Sequence, residues 1–122
     1  MLKELYSWII DDNEDDDLEK ESPVWSDIAN ELNKMTSSRK VELSHGDDLK
    51  FSYSEGIGIE MEFYNACIHY KPDVFPSDEA ERRFRLFFED DFMELLSLEW
   101  SPVMGYNNID IEAINRYLHN KT

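Results

Sequence analysis

The stretch "VELSHGDDLKFSYSEGIGIEMEF", Val41 to Phe63, alternates apolar and polar residues through three successive runs. Val41 and Leu43 alternate with Glu42 and Ser44. After "HGDD", Leu49, Phe51 and Tyr53 alternate with Lys50, Ser52 and Ser54. After "EGIG", Ile57, Ile59, Met61 and Phe63 share one parity and Glu60 and Glu62 the other. A period of two sends one set of side chains to a buried face and the other toward water, and turn residues between the runs make consecutive strands antiparallel. The pattern therefore predicts three antiparallel strands with one buried face. Past Phe63 the apolar parity shifts to Tyr64, Ala66, Ile68 and Tyr70, which predicts a bulge near Asn65 or a stretch buried on both faces. Pro72 and Pro76 close the sheet.

Outside this block the apolar spacing is helical. Leu2, Leu5, Tyr6, Ile9 and Ile10 predict a short N-terminal helix ending near Asp11. Ser22 as cap and Pro23 in the first turn predict a second, with Val24, Ile28, Leu32 and Met35 on one face. Ser77 opens a long helix, with carboxylates in its first turn and a stripe of Ala80, Phe84, Phe87, Phe88, Phe92, Leu95 and Leu96. Pro102 and Gly105 interrupt the pattern. A last helix from about Asn108 or Asp110 buries Ile111, Ile114, Tyr117 and Leu118. The expected fold is α+β: a three-stranded or larger antiparallel sheet with about four helices packed against it, in a single domain over residues 1–122.

Charge is the second strong signal. The 122 residues hold 28 Asp and Glu against 12 Lys and Arg, a formal net charge of −16. Such a domain repels nucleic acid and anionic lipid and accelerates encounter with basic proteins. An apolar fraction of 41% with 13% aromatic residues still supports a packed core. The charge is uneven: residues 1–38 carry eleven acids against three bases, and residues 39–76 carry seven against four. The densest stretch, "DDNEDDDLEKES" from Asp11 to Ser22, has eight acids among twelve residues. It reads as an acidic loop or linker over 11–21.

Placed between two predicted helices, that loop invites comparison with an EF-hand. Asp11, Asn13 and Asp15 fall at the first three ligand positions, but Asp16 stands where the turn requires Gly and Ser22 where a bidentate Glu closes the site. No metal site is therefore expected, and no cofactor. Cys67 and His69, two apart on a predicted strand, share a face; no Gly-rich oxyanion turn or orienting third group accompanies them. The lone cysteine supports neither a disulfide nor a thiolate zinc cage and fits a reducing cytoplasm. The N-terminus lacks the basic start and cleavage site of a signal peptide, and no apolar run is long enough to span a bilayer. A second acidic cluster, Glu89, Asp90, Asp91 and Glu94, lies along the long helix.

Three readings of function follow. The first is an inhibitor whose carboxylates cover a basic protein such as a nuclease, with aromatic anchors beside the acidic patch. Its expected contact residues are Asp11, Asp12, Glu14, Asp15, Asp16, Asp17 and Trp25, together with Glu89, Asp90, Asp91 and Glu94. The second is a decoy that imitates the phosphate backbone to occupy a DNA- or RNA-binding protein. A small enzyme runs third. In size, acidity, lack of a signal sequence and α+β character, the whole chain resembles bacterial immunity proteins, in particular those of contact-dependent growth inhibition systems. The resemblance implies a cytoplasmic role in neutralising a cognate toxin by protein–protein contact, with no direct nucleic-acid or membrane partner.

Overall fold

The computed structural model describes residues 5–11, 18–21, 23–34, 39–46, 48–54, 56–71, 73 and 78–120. Among these described residues seven strands form one sheet: β1 (Leu5–Asp11), β2 (Leu18–Glu21), β3 (Arg39–His45), β4 (Leu49–Ser54), β5 (Gly58–Phe63), β6 (Ala66–Tyr70) and β7 (Ser101–Pro102). Their order is β2-β1-β3-β4-β5-β6-β7, every neighbouring pair antiparallel. The described residues also form helices α1 (Trp25–Leu32), α2 (Asp78–Phe88), α3 (Phe92–Ser97) and α4 (Ile111–Asn120). The α+β class and the alternating block at Val41–Phe63 are as expected.

One face of the sheet carries the core. Val41, Leu43, Leu49, Phe51, Tyr53, Ile59 and Met61 have no solvent exposure and meet Ile28, Phe84, Phe87, Leu95 and Ile114 from the helices. Phe51 stacks on Phe87 at 4.9 Å and meets Phe84 edge-on at 4.8 Å. Such pairs add roughly 0.5–1.5 kcal/mol each beyond the area they bury. The opposite face presents Lys40, Glu42, Ser44, Lys50, Ser52, Glu60, Glu62 and His69. Its charges are mixed in sign, and Lys40 pairs with Glu42 at 3.6 Å.

Four expectations need correction. The N-terminal apolar stretch is a strand: β1 pairs with β3 from Leu5↔His45 to Asp11↔Arg39. Tyr6, Trp8 and Ile10 also fit a period of two, and seven ladder pairs outweigh a weak helical preference. The acidic run is correspondingly shorter than a linker over 11–21, because Asp11 ends β1 and Leu18–Glu21 pair back onto it, Ile9 opposite Leu18. Strands rather than helices flank it, which removes the EF-hand setting. The shift in parity after Phe63 is a tight hairpin, Phe63 opposite Ala66, with Tyr64 at φ 53° in the first turn position. It adds β6 to the sheet.

Finally, the long helix is two helices. Asp90 N–H donates to Phe87 O at 3.1 Å and Asp91 N–H to Leu86 O at 2.9 Å, while Asp90 sits at φ 61°. Those two bonds with a left-handed residue between them form a Schellman motif, which ends α2. Asp91 then caps α3 by accepting from Glu94 N–H at 3.2 Å. At the other two helix starts, Val24 precedes α1 without a side-chain cap, and Asp110 Oδ1 caps α4 by accepting from Glu112 N–H at 2.9 Å. The expected caps Ser22 and Ser77 lie outside the described residues.

Candidate functional site

The expected contact residues divide sharply. Asp12, Glu14, Asp15, Asp16 and Asp17 lie outside the described residues, between the paired strands β1 and β2, and Asp11 is the last residue of β1. The second cluster is a set of helix-junction carboxylates, each with a partner inside the fold. Glu89 meets Arg85 Nε at 2.7 Å, Glu94 meets Arg82 at 3.3 Å, and Asp91 caps α3. Asp90 Oδ1 lies 2.9 Å from Nε2 of His45, whose side chain is 2% exposed. Trp25 packs on Phe88 at 5.7 Å, with the Arg85 guanidinium 5.5 Å above its ring. Glu94 thus ties α3 to α2, Asp91 caps α3, Asp90 reaches β3, Glu89 pairs with Arg85 in the last turn of α2, and Trp25 packs α1 on Phe88 of α2.

Cys67 and His69 do share the open sheet face, opposite Glu62 and Glu60 respectively. The Cys67 thiol is 1% exposed, and its Sγ lies 3.9 Å from Glu60 Oε2. Burial first, then the charges of Glu60 and Glu62, push it from an ordinary value of 9.0 to about 12. A thiol held protonated is a poor nucleophile at neutral pH. Alkylation of native Cys67 by iodoacetamide at pH 8 is expected to be at least a hundredfold slower than in urea-unfolded chain, followed by mass spectrometry; equal rates would refute the burial. The unfolded thiol ionises near its ordinary value and the folded one near 12, so unfolding releases a proton between those pH values. Wild type should lose stability in that window relative to Cys67→Ser, and no such difference should appear below pH 8.

Arg83 is the other buried charge, 3% exposed. Its guanidinium lies 3.8 Å from the ring centre of Tyr70 and 4.7 Å from that of Trp100, with Nε on Glu79 at 3.0 Å and Nη1 donating to Glu99 O at 2.5 Å. Trp100 Nε1 donates in turn to Leu95 O at 2.9 Å. This clamp fixes the chain between α3 and β7. Beside it runs an open groove of about 360 Å³, lined by Ile68, Leu96, Leu98, Trp100, Asn108, Ile109 and Ile111.

Among the described residues Arg39 and Lys34 pair with Glu31, Arg82 with Glu79 and Glu94, Arg83 with Glu79 and Arg85 with Glu89, and Arg116 on α4 is exposed. From Leu86 to Asn115 the chain carries seven carboxylates (Glu89, Asp90, Asp91, Glu94, Glu99, Asp110 and Glu112) and no Lys, Arg or His. Six of the seven residues lining the groove belong to that segment. Sequence reading missed it by looking for dense acidic runs; a thirty-residue absence of cations was the available signal. Among the described residues, no group of three His, Cys, Asp or Glu is placed to hold a metal ion, and no helix is long and apolar enough to cross a membrane. Comparison with protein-family models, curated proteins and solved structures finds no match.

Proposed function

We propose that this protein is an acidic binding protein that neutralises a basic partner, as an immunity protein neutralises a cognate toxin in the cytoplasm. The observation that carries the reading is the placement of unmatched charge. By sequence the carboxylate excess is densest in the β1–β2 connection, and in the segment Leu86–Asn115 the exposed Glu99 and Glu112, which form no ion pair among the described residues, add to it. The second location sets carboxylates beside a groove lined by Trp100 and aliphatic side chains. A phosphate-backbone decoy calls for a nearly continuous array of carboxylates, whereas an inhibitor calls for carboxylates beside aromatic and aliphatic anchors, and the latter arrangement is the one present here. The protonated Cys67 thiol gives the enzyme reading no nucleophile to build on.

The test is to recover a partner by affinity capture from the source cell at low salt, identify it, and co-express it with this protein. The expected partner has a basic binding surface, harms cells when expressed alone and is silenced in a stoichiometric complex. Neutralising Asp15, Asp16 and Asp17 to Asn should slow association roughly tenfold at low salt and flatten its salt dependence, since steering is screened beyond about 10 Å at 0.1 M. A neutral or acidic partner, or one whose activity persists in the complex, would refute the reading.

A further inference from the structure

We infer that the groove between α3, β7 and the start of α4 is a docking site for a basic peptide segment that inserts a large apolar side chain. This inference rests on the proposed binding of a basic partner and states where such a partner is gripped. The groove's lining combines apolar side chains, Ile68 from β6, Leu96 and Leu98 at the end of α3, Trp100, Ile109 and Ile111, with Asn108 and polar backbone. Cavities that enclose small ligands span about 300–1,000 Å³ and bury most of their occupant. At about 360 Å³ and open along its length, this one instead suits a side chain presented by another protein.

Charge selects the occupant. Glu99, Asp110 and Glu112 are exposed and each is adjacent in sequence to a lining residue. The side chains of Glu99 and Glu112 form no ion pair among the described residues. The cations that flank Leu86–Asn115 in sequence include the exposed Arg116 on α4 and Arg83, which is 3% exposed and pairs with Glu79 beneath the Trp100 ring. Between the groove residues Trp100 and Asn108 in sequence, Val103–Tyr106 form a turn closed by Tyr106 N–H to Val103 O at 3.1 Å, with Gly105 at φ 88°. That turn holds Met104 97% exposed and Tyr106 50% exposed. Exposed thioether and phenol groups are the kind of contacts that protein interfaces favour. Recognition must come from side chains, because Pro102 in the edge strand β7 has no N–H with which to pair an added strand.

The probe is a short lysine-rich peptide with one central leucine–phenylalanine pair, titrated into the full chain and followed by amide and indole NMR shifts. Saturable shifts are expected at Leu96–Ile111, including the Trp100 indole N–H. A peptide with glutamates for lysines, or serines for the apolar pair, should bind at least tenfold more weakly. The double variant Glu99→Lys/Glu112→Lys should weaken the lysine peptide by roughly tenfold or more. Glu99→Gln/Glu112→Gln, which leaves the first turn of α4 without an added cation, should weaken it less and remain folded by circular dichroism. Shifts centred on the open sheet face, unchanged affinity in both variants, or a dimer in sedimentation that occupies the groove would each overturn the inference. Should the natural partner bind the Lys variant as tightly as wild type, the groove assignment fails while the proposed function stands. Should no basic partner exist, the function fails even where the peptide binds.

Discussion

Replacing Gly58 with Ala should cost this domain roughly 2–5 kcal/mol. The residue opens β5 at φ 87°, a conformation that penalises a side chain by about 1–2 kcal/mol. An added Cβ would stand 2.5 Å from Tyr70 O and 2.8 Å from Lys71 Cα. Those neighbours are backbone atoms at the end of β6, so relief requires β5 and β6 to move apart, at about 1–3 kcal/mol more. The other glycines isolate the two causes. Gly105, at φ 88° with nothing within 4 Å, should pay the conformational penalty alone, and Gly56, with open space and no positive φ, should be near neutral. Urea unfolding of the three Ala variants reads the series. A Gly58→Ala variant within 1 kcal/mol of wild type would show that the β5–β6 approach is looser than described. Domains of this size are stable by about 5–15 kcal/mol in total, so the upper end leaves the fold marginal.

That series marks the boundary of what sequence reading reaches. "EGIG" reads as a turn, and the strands around it read correctly, because alternation over Val41–Phe63 is a local signal sustained through three runs. Which glycine is indispensable depends on the Tyr70 carbonyl of β6, which an added Cβ would meet at 2.5 Å, a relation with no local trace. The N-terminal strand fails for a related reason. Leu5, Tyr6, Ile9 and Ile10 satisfy the helical period and Tyr6, Trp8 and Ile10 a period of two, and the seven pairs with β3 that decide between them are long-range. The hairpin at Tyr64–Asn65 is concealed because its first turn residue is Tyr, where glycine or asparagine is the usual signal.

The candidate site shows the same division. Acidic density drew attention to Glu89–Glu94, yet each carboxylate there has work within the fold. The groove draws one residue from β6 and the rest from the ends of α3 and α4 and the chain between, so its lining appears once β6 lies beside that segment. Local density reports how acidic a segment is; internal pairing decides how much of that charge is left for a partner.

Asp90 is where that internal use is most concentrated, and its replacement supplies the second large expected effect. It occupies the left-handed position of the Schellman motif at φ 61°, where glycine is the usual residue, and its carboxylate lies 2.9 Å from buried His45 Nε2. His45 is tied further: its ring lies 5.5 Å from Phe87 and 6.4 Å from Phe92, and its backbone carbonyl accepts from Tyr117 hydroxyl at 2.9 Å. One contact thus joins the end of β3, the α2–α3 junction and α4. Three substitutions separate backbone from side chain. Asp90→Ala loses the carboxylate, at about 1–3 kcal/mol for a buried partner left without it, and adds about 1 kcal/mol of left-handed strain, roughly 2–4 kcal/mol together. Asp90→Gly suffers the first loss but relaxes the backbone, so it should be the milder of the two by about 1 kcal/mol. Asp90→Asn keeps a side-chain oxygen and a tolerance for left-handed φ and should cost least. The order Ala, Gly, Asn from most to least destabilised is the diagnostic result in urea unfolding. If Gly proved as stable as Asn, the Asp90–His45 contact would contribute nothing and the junction would be held by the Schellman bonds alone. If Gly proved no better than Ala, the left-handed conformation at Asp90 would be the part in error.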